Sequence, residues 1–77
     1  MNKKQIEKML TLSPIEQRIY KYIVENEKGG EVLLIPADLI KPSGFKQSTI
    51  YKGLKGLEEG GVITPIEGSK YRFKFND

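Results

Sequence analysis

Seventy-seven residues, 13 of them Lys or Arg and 10 Asp or Glu, make one small domain of net charge +3, near the lower size at which a core holds a fold without staples. There is no cysteine and no histidine, so a disulfide framework, a thiolate metal site and the commonest general base are all missing; the expectation is no enzyme, no metal and no cofactor. The longest apolar run, Val32 to Pro36, is far short of the roughly 20 residues that cross a bilayer, and the opening MNKKQIEKML has no apolar stretch of a secretory signal, so a cytoplasmic protein without a membrane partner is expected.

In chain order, residues 1–12 come first. Ile6, Met9 and Leu10 form a short apolar stripe among lysines, marking either an additional helix or a frayed arm ahead of a domain at 13–77. Ser13-Pro14-Ile15-Glu16 is the clearest helix start: serine as cap, proline where its missing N–H is harmless, and glutamate to complete a capping box. Ile15, Ile19 and Ile23 recur every four residues, which predicts a helix from Pro14 to about Glu27, stopped by Gly29-Gly30. Tyr20 and Tyr22 read as core or dimer surface. Glu31 to Ile35 reads as a short buried strand, Pro36 to Ile40 as a brief helix, and Lys41 to Gly44 as a turn. A third helix is predicted from about Lys46 to Glu59, with Ile50, Leu54 and Leu57 buried and Gly60-Gly61 as its stop. Residues 62–66 and 70–75 then flank the tip Glu67-Gly68-Ser69 as a β-hairpin, with Tyr71, Phe73 and Phe75 on the core face and Lys70, Arg72 and Lys74 outside.

The charge is unevenly spread. Residues 1–40 hold six cations and six anions, whereas residues 41–77 hold seven cations against four anions, so the whole surplus lies in the second half, as on a nucleic-acid face. The 46–59 helix carries Lys46, Lys52 and Lys55 with no acid before Glu58. It also keeps two interior glycines, each costing about 0.5–1 kcal/mol against alanine. At about 100° per residue, Gly53 borders the buried stripe, where it permits close helix packing. Gly56 borders the cationic face, where it either clears room for an external backbone or is simply tolerated.

The order helix, strand, helix, turn, helix, hairpin, and within it GFKQSTIYKGLKGLEEGGVI, resembles the winged-helix DNA-binding domain, a helix-turn-helix variant of small prokaryotic, plasmid and viral regulators. The resemblance covers about Ser13 to Phe75. It implies an α+β fold with a three-helix core, a short strand and a C-terminal hairpin wing; the 46–59 helix would enter the major groove and the 62–75 wing would lie on the backbone or minor groove. Two departures stand out: Lys46 replaces the usual serine or threonine cap, and the wing tip is short.

On that basis Lys46, Lys52, Lys55, Lys70 and Lys74 are candidate phosphate contacts, and Lys52 can also reach guanine. Gln47, Ser48 and Thr49 can hydrogen-bond base edges, Tyr51 can pack on the sugar-phosphate backbone, and Arg72 can enter a narrow minor groove. The plainer alternatives are solvated lysines, an ordinary polar helix start, a partly buried Tyr51 and a solvated strand arginine. The expected function is a sequence-specific double-stranded DNA-binding protein, a transcriptional regulator working as a homodimer, with no small-molecule ligand evident. A protein-interaction module docking through the Met9 and Leu10 arm is one alternative, and a DNA-binding subunit of a plasmid or viral replication or segregation complex is another.

Overall fold

In the computed structural model, which describes residues 1–76, the first two helices start in the same way. Asn2 precedes α1 (Lys3–Met9) and Ser13 precedes α2 (Pro14–Asn26). Each cap accepts the amide of the third helical residue on its side-chain oxygen, and Gln5 or Glu16 reaches back to the amide of the cap. Each box thus satisfies two amides that the helix leaves free. Capped in this way, and with Met9 packed on the core, residues 3–9 are a docked helix, which decides between helix and frayed arm.

α2 ends within a residue of the expected place, but the glycine pair is not its stop. Asn26 is its last residue and Glu27 turns to extended backbone (φ −65°, ψ 149°). Gly29 and Gly30 lie beyond, at φ 62° and 80°, in a turn where Lys28 and Glu31 exchange both backbone hydrogen bonds (2.8 and 3.1 Å). Two successive positive φ values define the mirror-image hairpin turn, and glycine adopts them readily. The glycine pair therefore launches β1 (Glu31–Leu33) and does not stop α2.

After β1 a 3-10 turn (Pro36–Leu39) continues into α3 (Ile40–Ser43). Residues 41–43, expected as a turn, are helical; Gly44, at φ 77°, is the cap that ends the segment. Next comes α4 (Gln47–Glu59), on the span expected of it, although its cap Lys46 makes no side-chain capping bond. At its far end Gly61 takes φ 75°, the Gly61 amide donates to Glu58 O (3.1 Å) and the Val62 amide to Leu57 O (2.9 Å). This is a Schellman closure, with Leu57 and Val62 both buried.

The three strands form an antiparallel sheet in the order β1-β3-β2, with β2 at Ile63–Pro65 and β3 at Arg72–Phe75. Because only one face meets the core, strand residues alternate inward and outward. Val32 is therefore buried while Leu33 is 47% exposed, so the short buried strand expected at 31–35 is a strand at 31–33 buried on one face. The hairpin strands are shorter than 62–66 and 70–75. Ser69 Oγ accepts the Arg72 amide (3.2 Å) and the Ser69 amide donates to Ile66 O (3.1 Å). These local bonds take Lys70 and Tyr71 out of the strand. Tyr71 is consequently half-buried at the edge of the core, which Phe73 and Phe75 close.

The core gathers Ile19, Tyr20 and Ile23 of α2, Ile50, Leu54 and Leu57 of α4, Leu34, Leu39, and the inward side chains of the sheet. Tyr20 lies edge-on to Phe75, with ring centres 5.7 Å apart at 70°, so it belongs to the core; Tyr22 is half-buried against it. Two glycines allow α2 and α4 to approach. A Cβ on Gly53 would lie 2.8 Å from Ile15 Cγ1 and from Ile19 Cδ1, as close packing requires. For Gly56 the reading as clearance on the cationic face is corrected: the Glu16 carboxylate of α2 occupies the place of its missing Cβ. The radius of gyration, 11.3 Å, matches the roughly 11.5 Å of a fully packed chain of this length, so α1 is folded in with the rest. No described helix is long and apolar enough to cross a membrane.

Candidate functional site

A helix that buries Ile50, Gly53, Leu54 and Leu57 must turn the residues near 180° from that stripe to solvent. In α4 these are Ser48, Lys52, Lys55 and Glu59, all exposed. Lys46 and Gln47 at the helix start are exposed as well. Thr49 is half-buried; its i+4 and i+7 neighbours are Gly53 and Gly56, which places it on the edge that faces α2. The first turn of α4 holds no acidic residue, so nothing there offsets the positive end of the helix dipole. Among the described residues the one ion pair within 4.0 Å joins Arg72 to Glu31, at 3.9 Å and about half exposed. Lys46, Lys52, Lys55, Lys70 and Lys74 thus present their charges without a carboxylate partner among those residues.

Between α4 and the segments flanking the sheet lies a groove of about 400 Å³. Leu34, Pro36, Leu54 and Phe73 form its apolar floor, Tyr51 and Tyr71 border it, and Lys55, Glu58 and Lys70 complete the lining. The α4 contribution follows from spacing, since Tyr51, Leu54, Lys55 and Glu58 stand at i, i+3, i+4 and i+7 on one side of the helix. Tyr51 is 53% exposed. Lys70 Nζ lies 5.5 Å from the centre of the Tyr71 ring, within cation–π range, so that ring holds the ammonium beside the groove.

Of the residues singled out in the sequence, Tyr51, Lys55 and Lys70 are brought together here. Lys46, Gln47, Ser48 and Lys52 share the exposed start and outer side of α4. Arg72 and Lys74 point the other way: the inward side chains of β3 are Phe73 and Phe75, so these two cations project from the far face of the sheet. By register they stand there beside Leu33, Glu31 and Thr64. Sequence reasoning missed Glu58 and Tyr71. Glu58 was visible as the i+7 partner of Tyr51, whereas strand alternation placed Tyr71 in the core. Among the described residues no group of three or more His, Cys, Asp or Glu side chains is arranged to hold a metal ion. No family model matches this chain, and comparison with curated proteins and with solved structures likewise yields no match.

Proposed function

We propose that the chain is a winged-helix domain that binds double-stranded DNA with sequence preference and works as a transcriptional regulator. In this reading α4 enters the major groove and the β2–β3 hairpin lies against the backbone. The observation that carries it is the outer side of α4, where Ser48, Lys52 and Lys55 are exposed opposite a buried stripe. The element order supports the same reading, with α3 and α4 joined at the left-handed Gly44 and the hairpin packed against α4 through β2. Lys46, Lys55 and Lys70 would meet phosphates, and Gln47, Ser48 and Lys52 base edges. Arg72 and Lys74, on the far face of the sheet, would add least. One small module buries little surface, so a homodimer would supply the remaining specificity.

Binding titrations on specific and random duplexes across a range of salt concentrations test the roles. Lys55→Ala and Lys70→Ala are expected to weaken both duplexes equally and to flatten the salt slope by about one unit per lost contact. Gln47→Ala and Lys52→Ala are expected to narrow the gap between the two duplexes by about 1–3 kcal/mol per lost bidentate contact. Full discrimination in those two variants would remove α4 as the reader. A second reading, a protein-interaction module, draws on the exposed Ile6 (43%) and Leu10 (70%) of the N-terminal segment; it takes the lead if no duplex binds and partner capture is indifferent to salt.

A further inference from the structure

We infer that the groove beside α4 holds one unpaired nucleotide, its base stacked on Tyr51 and its phosphate met by Lys55 and Lys70. The size fits a single flat group: about 400 Å³ lies in the lower part of the range of small-ligand sites, roughly 300–1,000 Å³. The lining fits a base. Tyr51, an exposed residue, offers its ring beside an apolar floor, and every base has a π-face that stacks on such a ring. Tyr71 is already engaged by Lys70 at 5.5 Å, so its part is to orient the ammonium, and the stacking falls to Tyr51.

Glu58 is the one anion in the lining. Its carboxylate accepts a hydrogen bond from an exocyclic amino group, such as N4 of cytosine, which favours an amino-bearing base. Lys55 fixes the source. It lies both on the exposed side of α4 and in the groove, so a strand parting from a duplex bound on α4 passes directly from one to the other; this step rests on the duplex reading above. The domain then favours a duplex with a single-stranded overhang over a blunt one.

The experiment compares a labelled blunt duplex, the same duplex with a short oligocytidine overhang, and free cytidine monophosphate. Binding of the last is followed by tyrosine emission, which is usable because the chain has four tyrosines and no tryptophan. The overhang is expected to tighten binding about fivefold or more, the least that one stacked base contributes. Tyr51→Ala should bring that ratio close to one, and Tyr51→Phe, which keeps the ring, should restore it. Cytidine monophosphate binding that is lost in Tyr51→Ala, without any overhang advantage, would keep the nucleotide site but make the free nucleotide its source. Binding of the overhang duplex that needs Tyr51, in a protein that ignores the blunt duplex, would keep the site and sink the duplex reading. Equal affinity for both duplexes with no response to cytidine monophosphate, or an overhang advantage that survives Tyr51→Ala, overturns the inference.

Discussion

Gly53 and Gly56 stand three residues apart in one helix, yet alanine should affect them differently. Either change improves helix propensity by about 1 kcal/mol. At Gly53 the new methyl meets Ile15 and Ile19 at 2.8 Å, both stiff at χ1 and the second fully buried. Overpacking of about 1–3 kcal/mol should offset or outweigh the propensity gain, so that Gly53→Ala lowers stability by up to about 2 kcal/mol in urea unfolding. At Gly56 the obstacle is the carboxylate end of Glu16, which can swing away. That movement gives up its bond from the Ser13 amide (3.0 Å), a contact worth about 0.5–1.5 kcal/mol, so Gly56→Ala should fall within about 0.5 kcal/mol of the parent. Measured on a Glu16→Ala background, Gly56→Ala should become clearly stabilising, and a double-mutant cycle reads that coupling.

At the level of elements, the turn between α2 and β1 can be tested by its backbone. Gly29 sits at φ 62°, a conformation that asparagine tolerates and a β-branched residue does not. Gly29→Asn should leave the unfolding midpoint unchanged or raise it, while Gly29→Val should cost about 1–2 kcal/mol or more. For α4, Leu54→Ala should cost about 2–5 kcal/mol, and an unchanged thermal midpoint would contradict its buried register. The helices were legible because their signals are local: Ser13 with Glu16, the four-residue isoleucine repeat, and Gly60-Gly61. Strand limits were less legible, since β1 and β3 end where partners and the Ser69 hydroxyl dictate. The same division runs through the site. The exposed side of α4 follows from helix geometry alone, whereas the groove draws Leu34, Pro36 and Tyr71 from outside that helix, and only the folded chain brings them to it.

For the whole molecule, the proposed dimer can be probed without disturbing the core. Ile6 and Leu10 are exposed while Met9 packs inward, so the double change Ile6→Lys and Leu10→Lys should leave thermal unfolding of the isolated chain nearly unaltered. If this surface joins two copies, the change should shift sedimentation from dimer toward monomer; unaltered association would place the interface elsewhere. The strand order has a consequence of its own during synthesis. Neither β1 nor β2 pairs with the other; both depend on β3, the last of these three to be made. At roughly 5–20 residues per second, a ribosome needs about 2–8 seconds to travel from Leu33 to Arg72. Through that interval α3 and α4 are still being made while β1 presents an unpaired strand edge, a template for wrong pairing. The window in which a chaperone matters most therefore opens with β1 and closes when Phe75 leaves the exit tunnel.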